Sequence, residues 1–179
     1  MPEKMFQLNP FAPEKTGNAI SINGRIGREA HLLSVSYVLS GDLGQVLVPG
    51  PAEGSMRKTG LWNETCFELF FGEKNVSPYW EMNLSPSGCW NIFRFSDYRK
   101  NMIEEAAISA LPARRLSQPD VLEISVKIPI NKLLQANPPI QMGVSAVIQA
   151  ENGEFSFWAL THPGTKPDFH LRDAFCIEL

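Results

Sequence analysis

Short runs of alternating apolar and polar residues recur along this chain, and proline or glycine separates most of them. The 14 prolines and 13 glycines are spread over the whole length of 179 residues. The long periodicity that is typical of helices is nearly absent. Because proline and glycine interrupt regular elements and favour turns, the pattern predicts an all-β chain of about nine or ten short strands.

The clearest predicted strands lie in the first half of the chain. Apolar side chains alternate with smaller or polar ones over residues 31–40, and the turn residues Gly41 and Asp42 follow. Residues 65–71 (TCFELFF) are apolar on both faces except at Glu68, as expected of a central strand that is covered on each side. Glu68 is therefore conspicuous as a carboxylate in a buried setting.

Turn signals organise the rest of the sequence. Asn152 and Gly153 indicate a hairpin that joins strands at residues 142–149 and 155–160. Further strands are predicted at residues 19–23, 45–48, 106–116, 121–128 and 174–179, with one or two helical turns at residues 130–136 and an extended leader over residues 1–18. Together these elements predict a two-sheet antiparallel β-sandwich, jelly-roll-like, with at most one or two short helices.

Length and charge limit the classes of function. A chain of 179 residues fits one domain, here residues 1–179. The net charge of −3 argues against nucleic-acid and anionic-membrane partners. No stretch resembles a membrane span or a secretory apolar core, so we expect a cytoplasmic protein. Cys66, Cys89 and Cys176 form no CxxC pair, which agrees with a reducing compartment.

A predicted hairpin at residues 79–95 (YWEMNLSPSGCWNIFRF) carries polar groups along one face. In its first arm, Glu81 and Asn83 lie on the side opposite the apolar residues at positions 80, 82 and 84. In the second arm, Trp90, Ile92 and Arg94 share one side, and the residues at positions 89, 91, 93 and 95 share the other. The turn leaves the register open, so either set can join Glu81 and Asn83.

Three segments resemble one known family. They are residues 60–72 (GLWNETCFELFFG), 79–99 (YWEMNLSPSGCWNIFRFSDYR) and 157–179 (FWALTHPGTKPDFHLRDAFCIEL). In them the chain resembles the DOMON-like proteins, which are similar to family-nine carbohydrate-binding modules, from about residue 31 to the C-terminus. The resemblance implies a β-sandwich of jelly-roll type that holds a ligand, usually a sugar or a haem, against one sheet or at its end.

The candidate ligand-binding residues combine planar polar groups with one aromatic platform, as sugar sites do. Glu68, Glu81, Asn83 and Arg94 are placed together on one sheet. Trp62 is the preferred platform because it lies at a loop-to-strand junction, whereas Trp80 and Trp158 are interpreted as core. A structural network, in which Arg94 satisfies Glu68 or Glu81, is the competing interpretation. Two carboxylates also serve glycoside cleavage, but no nucleophile motif accompanies them.

The C-terminal segment 162–173 (HPGTKPDFHLRD) is the densest polar cluster in the sequence. Its Lys166, Asp168, His170 and Arg172 are expected to line the rim of the site. The spacing of His162 and His170 matches no metal-site pattern, so no metal is assigned. A haem would require an axial pair, His162 or His170 with Met82 or Met102.

The sequence therefore predicts a non-catalytic module that binds a small-molecule ligand, with a sugar as the expected ligand and no cofactor assigned. Two alternatives stay open. One is a haem-binding electron-transfer domain, and the other is a protein-interaction domain without a small ligand, which a convex polar face without a pocket favours. Oligomeric state is not predicted.

Overall fold

The computed structural model describes residues 3–13, 19–135 and 138–179. Short 3-10 turns lie at Leu43–Gln45, Leu61–Asn63, Ile130–Lys132 and Arg172–Ala174. The described residues form thirteen strands: β1 (Glu3–Gln7), β2 (Asn9–Pro10), β3 (Ile20–Glu29), β4 (Leu32–Gly41), β5 (Cys66–Glu73), β6 (Tyr79–Leu84), β7 (Trp90–Phe95), β8 (Ile103–Glu104), β9 (Arg114–Gln118), β10 (Val121–Pro129), β11 (Ile140–Gln149), β12 (Phe155–Ala159) and β13 (Ile177–Glu178).

The strands form two antiparallel sheets. The five-stranded sheet has the order β1-β3-β4-β10-β9. The eight-stranded sheet has the order β2-β12-β11-β5-β6-β7-β8, and β13 pairs with β11 beside β12. The inward faces of the two sheets share one apolar core. The predicted β-sandwich is thereby confirmed.

The core joins the two sheets through aromatic side chains as well as aliphatic ones. Tyr37 of β4 is fully buried and stacks on Phe67 of β5, with ring centroids 4.9 Å apart. Its hydroxyl donates a 2.7 Å hydrogen bond to the backbone carbonyl of Glu68. A buried tyrosine needs such a partner, because an unpaired hydroxyl in the core costs free energy. Trp80 and Trp158 also lie in this core, as predicted.

Most predicted strands are confirmed within one or two residues at each end. Strand β3 is the main extension, because it continues to Glu29, beyond the predicted end at residue 23. Gly24 and Gly27 interrupt the alternation there. A Cβ atom at Gly24 would lie 2.1 Å from the carbonyl oxygen of Ser36 and 2.4 Å from the ring of Phe6. Glycine is therefore required by close packing at this strand position.

Four predicted elements differ from the structure. The strand predicted at residues 174–179 is reduced to Ile177–Glu178, after the 3-10 turn at Arg172–Ala174. Residues 45–48 contribute a 3-10 turn and a single bridge from Val46 to Ala150 instead of a strand. The strand predicted at residues 106–116 begins only at Arg114, in β9. The helical turns predicted from residue 130 are a 3-10 turn at Ile130–Lys132, and Ala136, the predicted end, lies outside the described residues.

The predicted leader is partly a structural element. Its residues 3–7 form the edge strand β1, which pairs with β3. Residues 1–2 and 14–18 lie outside the described part of the chain. No helix in the described part is long and apolar enough to span a bilayer.

The outward face of the eight-stranded sheet is covered, unlike that of an ordinary two-sheet sandwich with water on both sides. Two chain segments lie over it: residues 96–102, which follow β7, and residues 161–176, which follow β12. Aromatic side chains of the sheet and of the C-terminal segment form a second apolar cluster there, which consists of Phe70, Tyr79, Phe93, Phe95 and Phe175 with Trp62 and Phe169 packed against it. This covered face holds the candidate site.

Candidate functional site

A pocket of about 420 Å³ lies on the outward face of the eight-stranded sheet. The sheet supplies its floor, and the two covering segments and the 3-10 turn at Leu61–Asn63 supply its walls. Its lining residues are Trp62, Glu68, Phe70, Glu81, Phe95, Arg99, Met102, Val147, Phe157, Pro167, Phe169 and His170. The volume falls within the range typical of small-molecule sites.

The hairpin register decides which side chains face this pocket. Glu81 pairs with Phe93 and Asn83 pairs with Asn91 across β6 and β7. Since paired residues project to the same side of a sheet, the polar side of the first arm is joined by positions 91, 93 and 95. Trp90 and Ile92 face the core. The register that the sequence left open is thereby settled.

Two buried glutamates form the polar part of the floor. Glu68 on β5 is 3% exposed and Glu81 on β6 is 5% exposed. Each carboxylate accepts a hydrogen bond from a neutral donor. The hydroxyl of Ser145 lies 3.1 Å from Glu68 Oε2, and the side-chain amide of Asn83 lies 2.7 Å from Glu81 Oε1. The site therefore places two carboxylates on neighbouring strands, each held by a neutral donor.

Burial sets the protonation of this pair. Desolvation, reinforced by the charge of Glu81, raises the pKa of Glu68 to about 8, against the opposing influence of the Ser145 hydrogen bond and Arg99. Desolvation also raises the pKa of Glu81 to about 7, although the hydrogen bond from Asn83 lowers it. The two groups titrate as a pair because each affects the charge of the other. Near neutral pH, the empty pocket holds at least part of a shared proton.

His170 connects the pair to the wall of the pocket. Its Nδ1 lies 2.7 Å from the hydroxyl oxygen of Tyr79, and its Nε2 lies 3.7 Å from Glu81 Oε2. Burial lowers the pKa of His170 to about 4, so the imidazole is neutral at pH 7. The contact with Glu81 is therefore not an ion pair at that pH.

The tautomer of His170 follows from the hydrogen bonds of Tyr79. The Tyr79 hydroxyl accepts a 3.2 Å hydrogen bond from the backbone N–H of Arg99, and we assign its own proton to His170 Nδ1. The imidazole proton then lies on Nε2 and points toward Glu81 and the pocket. Burial raises the pKa of Tyr79 to about 12, which keeps this hydroxyl protonated.

An ion pair joins the two covering segments at the rim. The guanidinium of Arg99 lies 2.9 Å from Asp168 Oδ1, which also accepts a hydrogen bond from the backbone N–H of His170. Tyr98 donates its hydroxyl hydrogen to the other carboxylate oxygen of Asp168. Although burial acts in the opposite direction, these hydrogen bonds lower the pKa of Asp168 below its usual value. Asp168 thereby fixes Arg99 beside the pocket.

Aromatic rings form the apolar walls. His170 lies edge-on to Phe70 and Phe95, with ring centroids 5.0 and 5.1 Å apart. Trp62 packs edge-on against Phe93 at 5.7 Å while it also lines the pocket. The site thus combines aromatic surfaces with buried carboxylates, an imidazole and a guanidinium, which suits a ligand that has both apolar faces and hydrogen-bonding groups.

The structure brings six of the nine predicted site residues to this pocket or directly behind it. Trp62, Glu68, Glu81 and His170 line it. Asn83 lies behind Glu81 and holds its carboxylate, and Asp168 holds Arg99.

The placement of Arg94 with the glutamates is wrong. Arg94 pairs with Trp80 across β6 and β7, so it projects to the side opposite Glu81. Its guanidinium is exposed to solvent and lies 5.9 Å from the centroid of the Trp80 ring. The network in which Arg94 satisfies Glu68 or Glu81 is therefore excluded by geometry, and neutral donors take that role.

Lys166 and Arg172 do not line the pocket either. Lys166 is exposed. Arg172 donates a 2.8 Å hydrogen bond to the backbone carbonyl of Glu73, and its guanidinium carbon lies 4.8 Å from the centroid of the Phe175 ring. Its guanidinium anchors the C-terminal segment to the end of β5.

The pocket also contains residues that were not predicted for it. The most consequential is Arg99, because it replaces Arg94 as the guanidinium of the site. The apolar residues not predicted are Phe70, Phe95, Met102, Val147, Phe157, Pro167 and Phe169. Period-two alternation already places Phe95 on the same side of the hairpin as Phe93, and Phe70 two positions from Glu68, so both carry a detectable signal. Arg99 lies in an irregular segment with no such periodicity.

The residues proposed for a haem fall in different places. His162 binds the backbone carbonyl of Asn9 at 2.8 Å, and Met82 is buried in the core between the sheets. His170 and Met102 line the same pocket. Among the described residues, no group of three or more histidine, cysteine, aspartate and glutamate side chains is arranged to hold a metal ion.

Comparisons with solved structures support the sandwich fold. A protein of Bacteroides uniformis, to which a carbohydrate-binding function has been attributed, superposes with a TM-score of 0.72 at 13% identity, covering 96% of this chain and 84% of that one. A family 9 carbohydrate-binding module of Caldicellulosiruptor kristjanssonii, in complex with glucose, gives a TM-score of 0.50 at 10% identity and covers 84% of this chain and 71% of the module. The same kind of module in complex with cellotriose gives a TM-score of 0.51 at 10% identity, with 84% and 70% covered. No protein-family model and no curated protein matches the sequence.

Proposed function

We propose that the chain is a non-catalytic carbohydrate-binding module that takes a small sugar into the pocket above Glu68 and Glu81. The observation that carries the proposal is the union of aromatic walls and buried carboxylates in one pocket of about 420 Å³. Pyranose rings present C–H faces that pack on aromatic rings and hydroxyls that bond carboxylates, amides and guanidinium groups. The pocket supplies both kinds of contact.

Each polar group has a defined part in the proposal. The oxygens of Glu68 and Glu81 that face the pocket accept hydrogen bonds from sugar hydroxyls, and the protonated member of the pair donates one. Nε2–H of His170 donates to a sugar oxygen. Trp62 covers an apolar face of the ring from the side of the pocket.

The comparisons support this proposal at the level of the fold. The structures with which the chain superposes include a protein with an attributed carbohydrate-binding function and modules in complex with glucose and cellotriose. At 10–13% identity they do not assign residues. We further propose that the chain is DOMON-like, as its three sequence segments indicate, and that no reaction follows binding.

Calorimetric titration with a panel of mono- and oligosaccharides tests the proposal. We expect at least one small sugar to bind, and Trp62→Ala to weaken its affinity by about fivefold or more, because an aromatic platform contributes upward of about 1 kcal/mol. Arg94→Ala is the matched control, since Arg94 lies on the opposite face. The proposal is contradicted if no sugar of the panel binds, or if Trp62→Ala binds the sugar as tightly as the wild-type protein does.

A haem is the second candidate ligand, and one observation favours it. His170 and Met102 line the same pocket and together offer an imidazole and a thioether. Against it, the hydrogen bond that Tyr79 donates to His170 Nδ1 leaves the imidazole proton on Nε2, the nitrogen that faces the pocket, and two buried carboxylates lie on the floor. An absorbance scan after incubation with haem distinguishes the candidates, because a Soret band that disappears in His170→Ala supports haem and a flat spectrum excludes it.

A further inference from the structure

The two floor carboxylates each have one oxygen that receives no hydrogen bond from the part of the chain that the structure describes. Glu68 Oε2 is held by Ser145, and Glu81 Oε1 is held by Asn83. Among the described residues, none donates a hydrogen bond to Glu68 Oε1. Glu81 Oε2 has His170 Nε2 at 3.7 Å, which is beyond hydrogen-bond distance. Both glutamates are more than nine-tenths buried and both line the pocket.

No cationic side chain among the described residues is in contact with these free oxygens. The titratable and charged groups around the pair lie on five elements. They are Tyr37 on β4, Cys66 on β5, Tyr79 on β6, Arg99 in the segment that follows β7, and Asp168 and His170 in the segment that follows β12. The guanidinium of Arg99 is paired with Asp168 at 2.9 Å, and His170 is neutral at pH 7. Ionising both glutamates therefore leaves negative charge in the pocket that Arg99, already paired with Asp168, offsets only in part.

Unbalanced buried carboxylates are costly, so the pair stays partly protonated unless a cation compensates the charge of the ionised form. An ammonium group has three donors and one positive charge, and two carboxylate oxygens that face one cavity match it in charge and in donor count. The surrounding aromatic rings also favour a cation, since the face of an aromatic ring carries negative potential.

We propose that the pocket is built for an ammonium group and that it selects amino sugars over the corresponding neutral sugars. The inference rests on the proposed sugar-binding function of the same pocket. The ammonium lies between the free oxygens of Glu68 and Glu81, and the ring of the sugar packs on the aromatic walls. The positive charge of the ligand offsets the negative charge of the two ionised glutamates on the floor.

Binding of an ammonium group is coupled to proton release. In the empty pocket, the raised pKa values keep a proton on the glutamate pair near neutral pH. The bound cation favours the ionised carboxylates, so that proton passes to the buffer when the ligand binds. A neutral sugar provides no such driving force. Proton release is therefore a signature of the ammonium contact.

The test is calorimetric titration at pH 7 with glucosamine, galactosamine and mannosamine, each against its parent hexose and its N-acetyl derivative. Two buffers of different ionisation enthalpy report the protons released. We expect at least one amino sugar to bind about tenfold or more tightly than both neutral counterparts, because charge-assisted hydrogen bonds are roughly twice as strong as neutral ones. We also expect net proton release for that ligand alone.

Glu68→Gln separates the ammonium contact from the rest of the site. It keeps the side-chain shape and the possibility of a bond with Ser145. We therefore expect the preference for the amine and the proton release to disappear, whatever loss of neutral-sugar affinity accompanies the change. Glu151→Gln, in the exposed turn between β11 and β12, is the matched control and keeps both.

The outcomes distinguish the two proposals. If neutral hexoses bind and no amino sugar binds more tightly than its parent, the ammonium inference is wrong and the sugar site stands. If neither class binds, the sugar site itself is wrong and the inference falls with it. A preference for the amine that survives in Glu68→Gln likewise overturns the inference.

Discussion

Side chains alternate between inward and outward positions in both sheets, but the outward side chains of the two sheets differ in exposure. On the five-stranded sheet, Arg25 and Glu123 project outward, stay partly exposed and lie 4.0 Å apart. On the eight-stranded sheet, Glu68 and Glu81 occupy equivalent outward positions and are almost completely buried. The difference comes from the two segments that cover only the second face. Polar residues at outward strand positions indicate a site when the chain also supplies a cover for them.

The largest expected effect is on stability at a covered outward position. Phe70→Ala removes a buried ring from the aromatic cluster, and we expect it to lower the free energy of unfolding by about 3–5 kcal/mol. Leu116→Ala, at an exposed outward position of the five-stranded sheet, should change it by less than about 0.5 kcal/mol. Urea unfolding measures both. Equal losses at the two positions contradict the contrast between the faces.

The next effect concerns the hydrogen bonds under the cover. Tyr79→Phe removes the hydroxyl that bonds His170 Nδ1 and the backbone N–H of Arg99. Because a half-buried imidazole then loses a partner, we expect a loss of about 1–3 kcal/mol in the free energy of unfolding. The matched variant Tyr98→Phe removes an exposed hydroxyl and should cost less. A larger loss in Tyr98→Phe than in Tyr79→Phe is the contrary result.

The free energy of unfolding should also depend on pH, because titratable residues are buried on the covered face. Since the pKa values of Glu68 and Glu81 are raised on folding, the native state holds more protons than the unfolded chain above pH 4.5, and this contribution to stability is lost as pH rises through about 7 to 8. The lowered pKa of His170 acts in the opposite direction, but only between about 4 and 6.5. Between about pH 4.5 and 6.5, a rise in pH lowers the free energy of unfolding through Glu68 and Glu81 and raises it through His170.

The cleanest window is therefore pH 6.5 to 8, where the native state loses its carboxyl protons. There we expect the free energy of unfolding to fall by on the order of 1 kcal/mol, as measured by urea titration at several pH values. The fall should shrink in Glu68→Gln. Glu123→Gln, on the outward face of the five-stranded sheet, should keep the wild-type slope. A flat wild-type profile across this window argues against shared protons in the pocket.

The smallest expected effect is at Arg94. Arg94→Ala removes an exposed guanidinium near Trp80 and should change the free energy of unfolding by about 0.5 kcal/mol or less. It should leave ligand affinity unchanged, whereas Arg99→Ala, on the covered face, should weaken it. A drop in affinity for Arg94→Ala with none for Arg99→Ala reverses the assignment.

The sequence predicts the sandwich and half of the site well, for a physical reason. Strand alternation is local, so the sides of Glu81 and Asn83 are readable without knowing the fold. Glu68 stands out because a carboxylate interrupts an apolar strand, and the structure buries it as that pattern indicates.

The remaining part of the site depends on long-range geometry. The turn at residues 86–88 allows more than one register between the two arms of the hairpin. The prediction that Arg94 lies with the glutamates corresponds to a register that the structure does not have. Arg99 adopts a positive φ of 53° in an irregular segment, and its partner Asp168 lies 69 residues later in the chain. No local sequence pattern predicts such a contact. Residues in loops that meet only after folding are the ones that sequence analysis misses.

The ion pair between Arg99 and Asp168 has a consequence for how a ligand enters. It joins the two segments beside the opening, and part of it is exposed, so dissolved ions screen it. The floor below is held by strand hydrogen bonds and apolar packing, which salt affects little. Added salt should therefore speed the opening of the rim while leaving the floor intact. On the proposed function, added salt changes how fast a sugar passes the rim and leaves unchanged which sugar the floor accepts.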